Sequence, residues 1–242
     1  MAARLHSGKL KGSFSSSSEI RDAVWRAIDL GADDAANESF WWSEILKAIL
    51  PGDPEKALRI VVRAAFFSER YDQRQLAESI LQNAASSHPK EVMHEVGKLI
   101  LDPSESWRFE SGKHVSLIHS LPEHVLRGWL EGNGVIAARK VARHLPAPFI
   151  SGGEPLVPEI TRFVLEKWGN DEPVFHNFFA GVHNLQMYVG SLAEGKRRDA
   201  EVAAKFLNHP LPSIRKWAQL ELASATAQAE QFQQSEEERG FS

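Results

Sequence analysis

The sequence predicts an all-α fold, an α-solenoid of about five stacked antiparallel helix pairs behind an N-terminal helical cap. Apolar residues recur three and four positions apart from Ser18 onward, and strand-like alternation is nowhere convincing. Helix-opening signals stand at Pro54, Pro89, Pro122, Pro155 to Pro158 and near Gly195. These openings are about 33 to 40 residues apart, and each interval holds two helical stripes. A composition of 43% hydrophobic and 25% charged residues in a chain of 242 suits a globular protein with a sizeable core. Two short helices cannot bury their own apolar faces, so units of this kind must stack to make that core.

Each element has its own justification. Ser16-Ser17-Ser18-Glu19 forms a capping-box pattern ahead of the stripe Ile20, Ala23, Val24, Ala27 and Ile28, which Gly31 ends. A second helix over 39–50 carries Phe40, Trp41, Ile45, Leu46 and Ile49 and stops at Pro51-Gly52. Asp53 as N-cap and Pro54 at the first helical position then open the repeat, with Ala57, Leu58, Val61, Val62 and Ala65 inward. Leu76, Ala77, Ile80, Leu81, Ala84 and Ala85 make the partner helix.

His88-Pro89 opens the next unit, with Val92, Met93, Val96 and Ile100 inward, and Asp102-Pro103 closes its first helix. The second, over 111–121, offers Val115, Ile118 and Leu121. Pro122-Glu123 leads Val125, Leu126, Trp129 and Leu130 to a stop at Gly132, and the helix from Gly134 answers with Ala138, Val141, Ala142 and Leu145. A fourth unit places Ile160, Phe163, Val164 and Trp168 opposite Phe175, Phe178, Phe179 and Val182, with Gly152-Gly153 as loop punctuation before it. The fifth begins near Gly195 and ends on a helix after Pro212, with Ile214, Trp217, Ala218 and Leu222 inward.

The ends are expected to differ from the middle. Residues 1–18 hold Arg4, Lys9 and Lys11, six serines and no acid, which predicts a disordered basic tail. Residues 19–230 are expected to form a single repeat domain, and 231–242, with Glu236, Glu237 and Glu238, an acidic disordered tail that serves solubility. Removing residues 1–15 and 233–242 should then leave melting unchanged. No run of eighteen apolar residues is present, so no membrane span or membrane partner is expected. The absence of cysteine removes disulfides and thiolate chemistry and suits a reducing compartment, so a cytoplasmic location is expected. A net charge of −4 argues against a dedicated nucleic-acid binder.

Ala138-Arg139-Lys140-Val141-Ala142 and Ile214-Arg215-Lys216-Trp217-Ala218 share a pattern on the second helix of their units. It resembles HEAT repeats over roughly residues 50 to 227. The resemblance implies that a basic residue ties neighbouring units together while a small residue permits close helix packing. It also implies binding of protein or nucleic acid rather than catalysis, as in helical-repeat components of bacterial multi-protein systems.

Catalytic and cofactor signals are missing from the spacing. His114, His119 and His124 lie five apart and His176 and His183 seven apart, which does not put imidazoles on one helical face. His94-Glu95 starts like a zinc-protease motif, but Lys98 stands where the second histidine belongs. No nucleophile elbow, Walker loop or dinucleotide fingerprint occurs, so no catalytic residue, cofactor or metal is assigned. Lys196-Arg197-Arg198 is flanked by Glu194 and Asp199 and is expected to be a solvated helix start.

The candidate interaction surface is aromatic. Trp107 and Arg108 fall in a break between paired helices, and such pairs are enriched where interfaces concentrate their energy. Trp41 and Trp42 are neighbours that cannot both point inward on one helix, so one is expected to cap the repeat or meet a ligand. The function expected is a non-catalytic protein-protein interaction module, a scaffold or adaptor, with a protein partner. The alternative is a DNA-binding protein or alkylpurine glycosylase. Trp41-Trp42 resembles the tryptophan pair of the HEAT-like glycosylases, although the carboxylate implied four residues later is Leu46 and the nearest acid is Glu44.

Overall fold

The computed structural model describes residues 52–68, 70–110, 115–183 and 191–238. The predicted helices before Pro51, the tail 1–18, and Trp41 and Trp42 lie outside the described residues. Within them, 79% of residues are helical and 4% are in strands, so the all-α prediction holds. The chain divides into two compact units at Trp129 and Leu130, where the spacing predicts one continuous domain over 19–230.

The described part of the first unit is built on three helices, α1 (Pro54–Phe67), α2 (Tyr71–Ser87) and α3 (Pro89–Leu101), followed by short α4 (Ser106–Glu110) and α5 (Val115–Ser120). The predicted stripes are buried except at Leu76, which is half-buried: Ala57, Leu58, Val61, Val62 and Ala65 on α1; Ala77, Ile80, Leu81, Ala84 and Ala85 on α2; Val92, Met93, Val96 and Ile100 on α3. Fully burying an aliphatic side chain contributes about 1.5–3 kcal/mol, so these stripes account for how the helices associate. Asp53 caps α1 through its carbonyl, which accepts from Ala57 N–H at 3.1 Å; its side chain makes no capping bond. Gly97 on α3 lies directly beneath the Trp129 indole, where any Cβ would collide with the ring.

Helix α6 (Glu123–Val141) crosses the division between units and is broken at Gly134, whose φ of 65° and ψ of −151° leave the helical region. This is the stop predicted at Gly132, displaced by two residues. In the second unit a 3-10 turn (Ala142–His144) leads into a two-stranded antiparallel hairpin, β1 (Phe149–Ser151) and β2 (Glu154–Leu156). The hairpin corrects the prediction of a plain loop. Gly152 and Gly153 have φ of 59° and 88°, the left-handed pair that a two-residue hairpin turn requires. Pro155 is tolerated because it faces Ile150, the pair beyond the hydrogen-bonded one at the turn, where no ladder N–H is needed.

Helix α7 (Glu159–Trp168) buries Val164 as predicted but is rotated so that the rest of the predicted face is only partly covered. Thr161, Val164 and Leu165 are buried, and Ile160, Phe163 and Trp168 are only partly covered. The Thr161 hydroxyl donates to the Pro146 carbonyl at 2.7 Å, which lets a polar residue take a core position. Helix α8 (Glu172–His183) buries Val174, Phe175, Phe178 and Val182. The last pair is α9 (Leu192–Ala204) and the long α10 (Pro212–Glu238), which buries Ile214, Trp217, Ala218, Ala225 and Ala229. Phe206 and Trp217 meet edge to face at 5.5 Å between ring centroids. Helix α10 runs through 231–238, where the composition predicts an acidic disordered tail.

Candidate functional site

Among the described residues of the first unit most large apolar side chains are covered, but three aromatics are exposed. Phe67 at the end of α1, Tyr71 at the start of α2 and Trp107 on α4 are 37%, 64% and 56% exposed. Two of them, Phe67 and Trp107, converge on Arg108. Its guanidinium carbon stands 4.5 Å from the Phe67 ring centroid and 4.6 Å from that of Trp107. Arg108 Nε donates to Glu105 Oε2 at 2.6 Å, so the cation is held by two rings and a carboxylate.

The local sequence explains why this stack stands at the surface. Asp102 ends α3 and accepts from the Ser104 N–H at 2.8 Å and the Ser104 hydroxyl at 2.7 Å, closing a side-chain turn. Those bonds, the hydroxyl's first, hold the Asp102 carboxyl below its ordinary range. The Asp102 carbonyl accepts from Ser106 N–H at 2.9 Å and starts α4. Phe109 then anchors the short helix: it is fully buried, with its ring 6.4 Å from Phe66. Neighbouring helical positions are about 100° apart, so burying Phe109 turns Trp107 outward.

An exposed ring beside a fixed guanidinium offers apolar area and charge-assisted hydrogen bonding at little further cost in side-chain ordering. Of the four residues proposed from sequence, Trp107 and Arg108 are brought together, and Trp41 and Trp42 lie outside the described residues. Phe67 is not legible in the sequence as a partner, because it ends α1 outside the buried stripe and meets Arg108 only through tertiary packing.

Two other constellations differ from this one in kind. Glu55, His94 and Glu95 bring their ligand atoms within 4.8 Å of one another, a cluster hidden from spacing because Glu55 comes from α1 and the others from α3. Its carboxylates are already engaged by cations: Lys98 Nζ lies 2.7 Å from Glu95, and Arg59 lies 3.3 Å from Glu55 and 3.7 Å from Glu95. A divalent ion would have to displace both, so the cluster is an ion-pair network. In the second unit, a mostly apolar groove of about 590 Å³ runs between α8 and α10 past Phe175, His176, Phe179, Lys216 and Leu220. Lys216 Nζ there rests 4.2 Å from the Phe175 ring centroid.

No described helix is long and apolar enough to cross a membrane. Comparison with protein-family models, curated proteins and solved structures found no match to this chain.

Proposed function

We propose that the chain is a non-catalytic protein-protein interaction module, a cytoplasmic scaffold or adaptor of a bacterial multi-protein system built from HEAT-like helix pairs. The observation that carries the reading is the Phe67–Arg108–Trp107 stack, an exposed, pre-ordered aromatic and arginine pair of the composition that dominates interface energetics. The repeat identity is supported by Arg139. This residue of the HEAT-like pattern bridges from α6 to Asp171 at the start of α8, a tie of the kind that joins successive pairs in such proteins.

The test is association of the purified chain with a partner isolated on it, compared with a Trp107→Ala/Arg108→Ala variant. Unchanged melting with affinity weakened by about 2 kcal/mol or more is expected. Full affinity in a folded variant refutes the site. Tight, strongly salt-dependent binding of duplex DNA would replace this reading by the nucleic-acid alternative.

A further inference from the structure

Lys216 folds over an aromatic ring in the groove between α8 and α10. Helix α10 presents it one turn from Leu220, and α8 presents Phe175 and Phe179 one turn apart, so both walls are lined at i, i+4 spacing. Trp217 and Ala218 go to the core, which fixes the rotation of α10 that brings Lys216 to the groove. Its Nζ stands 4.2 Å from the centroid of the Phe175 ring, itself buried.

A ring face attracts an ammonium from one side, but the ammonium has three N–H donors to place. Among the described residues none of the three meets a protein acceptor, since no carboxylate lies within ion-pair distance of Lys216 and no oxygen accepts from it. Nearby cations are engaged in the ordinary way. Arg215, one residue earlier, bonds the His209 and Pro210 carbonyls, and Arg139 forks onto Asp171. Glu172 lines the same groove from the first turn of α8 without reaching Lys216.

We propose that this groove binds a small aromatic carboxylate, with the carboxylate on Lys216 and the ring against Phe179 and Leu220. A space of about 590 Å³ with a mostly apolar lining and a few polar groups has the size and chemistry of a small-molecule site. One ammonium in apolar surroundings balances one negative charge, which selects a monocarboxylate over a phosphate dianion. Phe175 gives its face to Lys216, and half-buried Phe179 offers ring surface for offset stacking of an aromatic body. Lys216 is already laid on Phe175, so little of its freedom is lost when the carboxylate arrives. His176 adds an imidazole N–H donor to the α8 wall. Glu172, on that same wall, opposes the charge of the ligand and sets a limit on its affinity. The site lies within the second unit and does not rest on the Phe67–Arg108–Trp107 stack.

The probe is β-naphthoate, titrated into the full chain by calorimetry and followed by backbone amide chemical shifts. Saturable binding is expected, with the shifts concentrated in α8 and α10. Lys216→Gln should weaken it about tenfold, the worth of a hydrogen bond to a charged group, while Lys216→Arg retains it. Glu172→Gln should tighten it about two- to threefold by removing a like charge. β-Naphthamide, with the same rings and no charge, should bind the unaltered chain about tenfold more weakly than β-naphthoate does. Lys216 and Glu172 are both exposed, so the variants should melt with the unaltered chain. No saturable binding by about 1 mM overturns the site, as does equal affinity in a folded Lys216→Gln chain or shifts centred away from α8 and α10. Decanoate binding as tightly as β-naphthoate overturns the aromatic class of the ligand.

Discussion

Arg139 forks onto Asp171: its Nε and Nη2 donate to the two carboxylate oxygens at 3.0 and 2.7 Å across 32 residues of sequence. Asp171 also accepts from Val174 N–H at 3.1 Å, so it caps α8 with the carboxylate that holds the arginine. The Arg139 carbonyl in turn accepts from Asn177 Nδ2 at 2.9 Å. One residue of α6 therefore fixes both the entry and the second turn of α8.

This relationship gives a pH prediction. The guanidinium bond, ahead of the Val174 cap, holds the Asp171 carboxyl below its ordinary 3.8 in the folded chain. A depressed carboxyl contributes stability that is complete above the unfolded value and is lost as pH falls through the folded one. Asp171→Asn keeps an oxygen for the cap and removes the charge. Its melting temperature should lie below wild type at about pH 7, and the gap should close towards about pH 3. An equal gap at both would show that the pairing contributes nothing.

Two glycines should respond in opposite directions to alanine. A Cβ at Gly181 would overlap the Arg143 carbonyl, a backbone group that cannot rotate away. Gly181→Ala is expected to cost about 1–3 kcal/mol despite its gain in helix propensity. At Gly128, inside α6, a Cβ would meet no atom within 4 Å, so Gly128→Ala should add about 0.5–1 kcal/mol. Thermal melting of the two variants tests the sign of each.

Ala218 tests the packing of the last pair. It is fully buried beside Trp217, which is itself 3% exposed and packed edge to face on Phe206. Ala218→Phe should lower stability by about 1–3 kcal/mol through overpacking. An unchanged melting curve would mean that this face of α10 is not packed against its neighbours.

Legibility in the sequence depends on whether local signals and tertiary partners agree. The stripes of α1, α2 and α3 are readable because prolines mark the starts of α1 and α3 and unbroken apolar spacing fixes all three faces. Arg139 is readable as a tie from the repeated basic pattern, but Arg215 at the matching position bonds the His209 and Pro210 carbonyls of its own turn. Hydropathy misplaces the inward face of α7 because it favours Ile160 and Phe163 over Thr161, and only the Pro146 carbonyl makes Thr161 a core residue. Glu236 reads as one of three solubilising acids, since the N-terminus it caps lies 44 residues earlier. Deleting 233–242 should consequently lower the melting temperature rather than leave it unchanged.

Trp107 and Phe109 stand two residues apart on one short helix, the first outside and the second inside. Phe109 is fully buried against Phe66, so Phe109→Ala should cost about 3–5 kcal/mol and weaken any binding only by unfolding the unit. Trp107 is 56% exposed, and its ring covers one face of Arg108, whose other ring contact and carboxylate partner remain when it is removed. An exposed cation–π contact contributes about 0.5–1 kcal/mol, so Trp107→Ala should change stability by no more than that. If Trp107 is an interface anchor, the same substitution should weaken partner association by about 2 kcal/mol or more, a loss larger than its effect on folding. Denaturant melting and calorimetric titration of the same two variants separate the roles. A Trp107→Ala chain that loses as much stability as Phe109→Ala would make Trp107 part of the core and remove it from the surface proposed to bind.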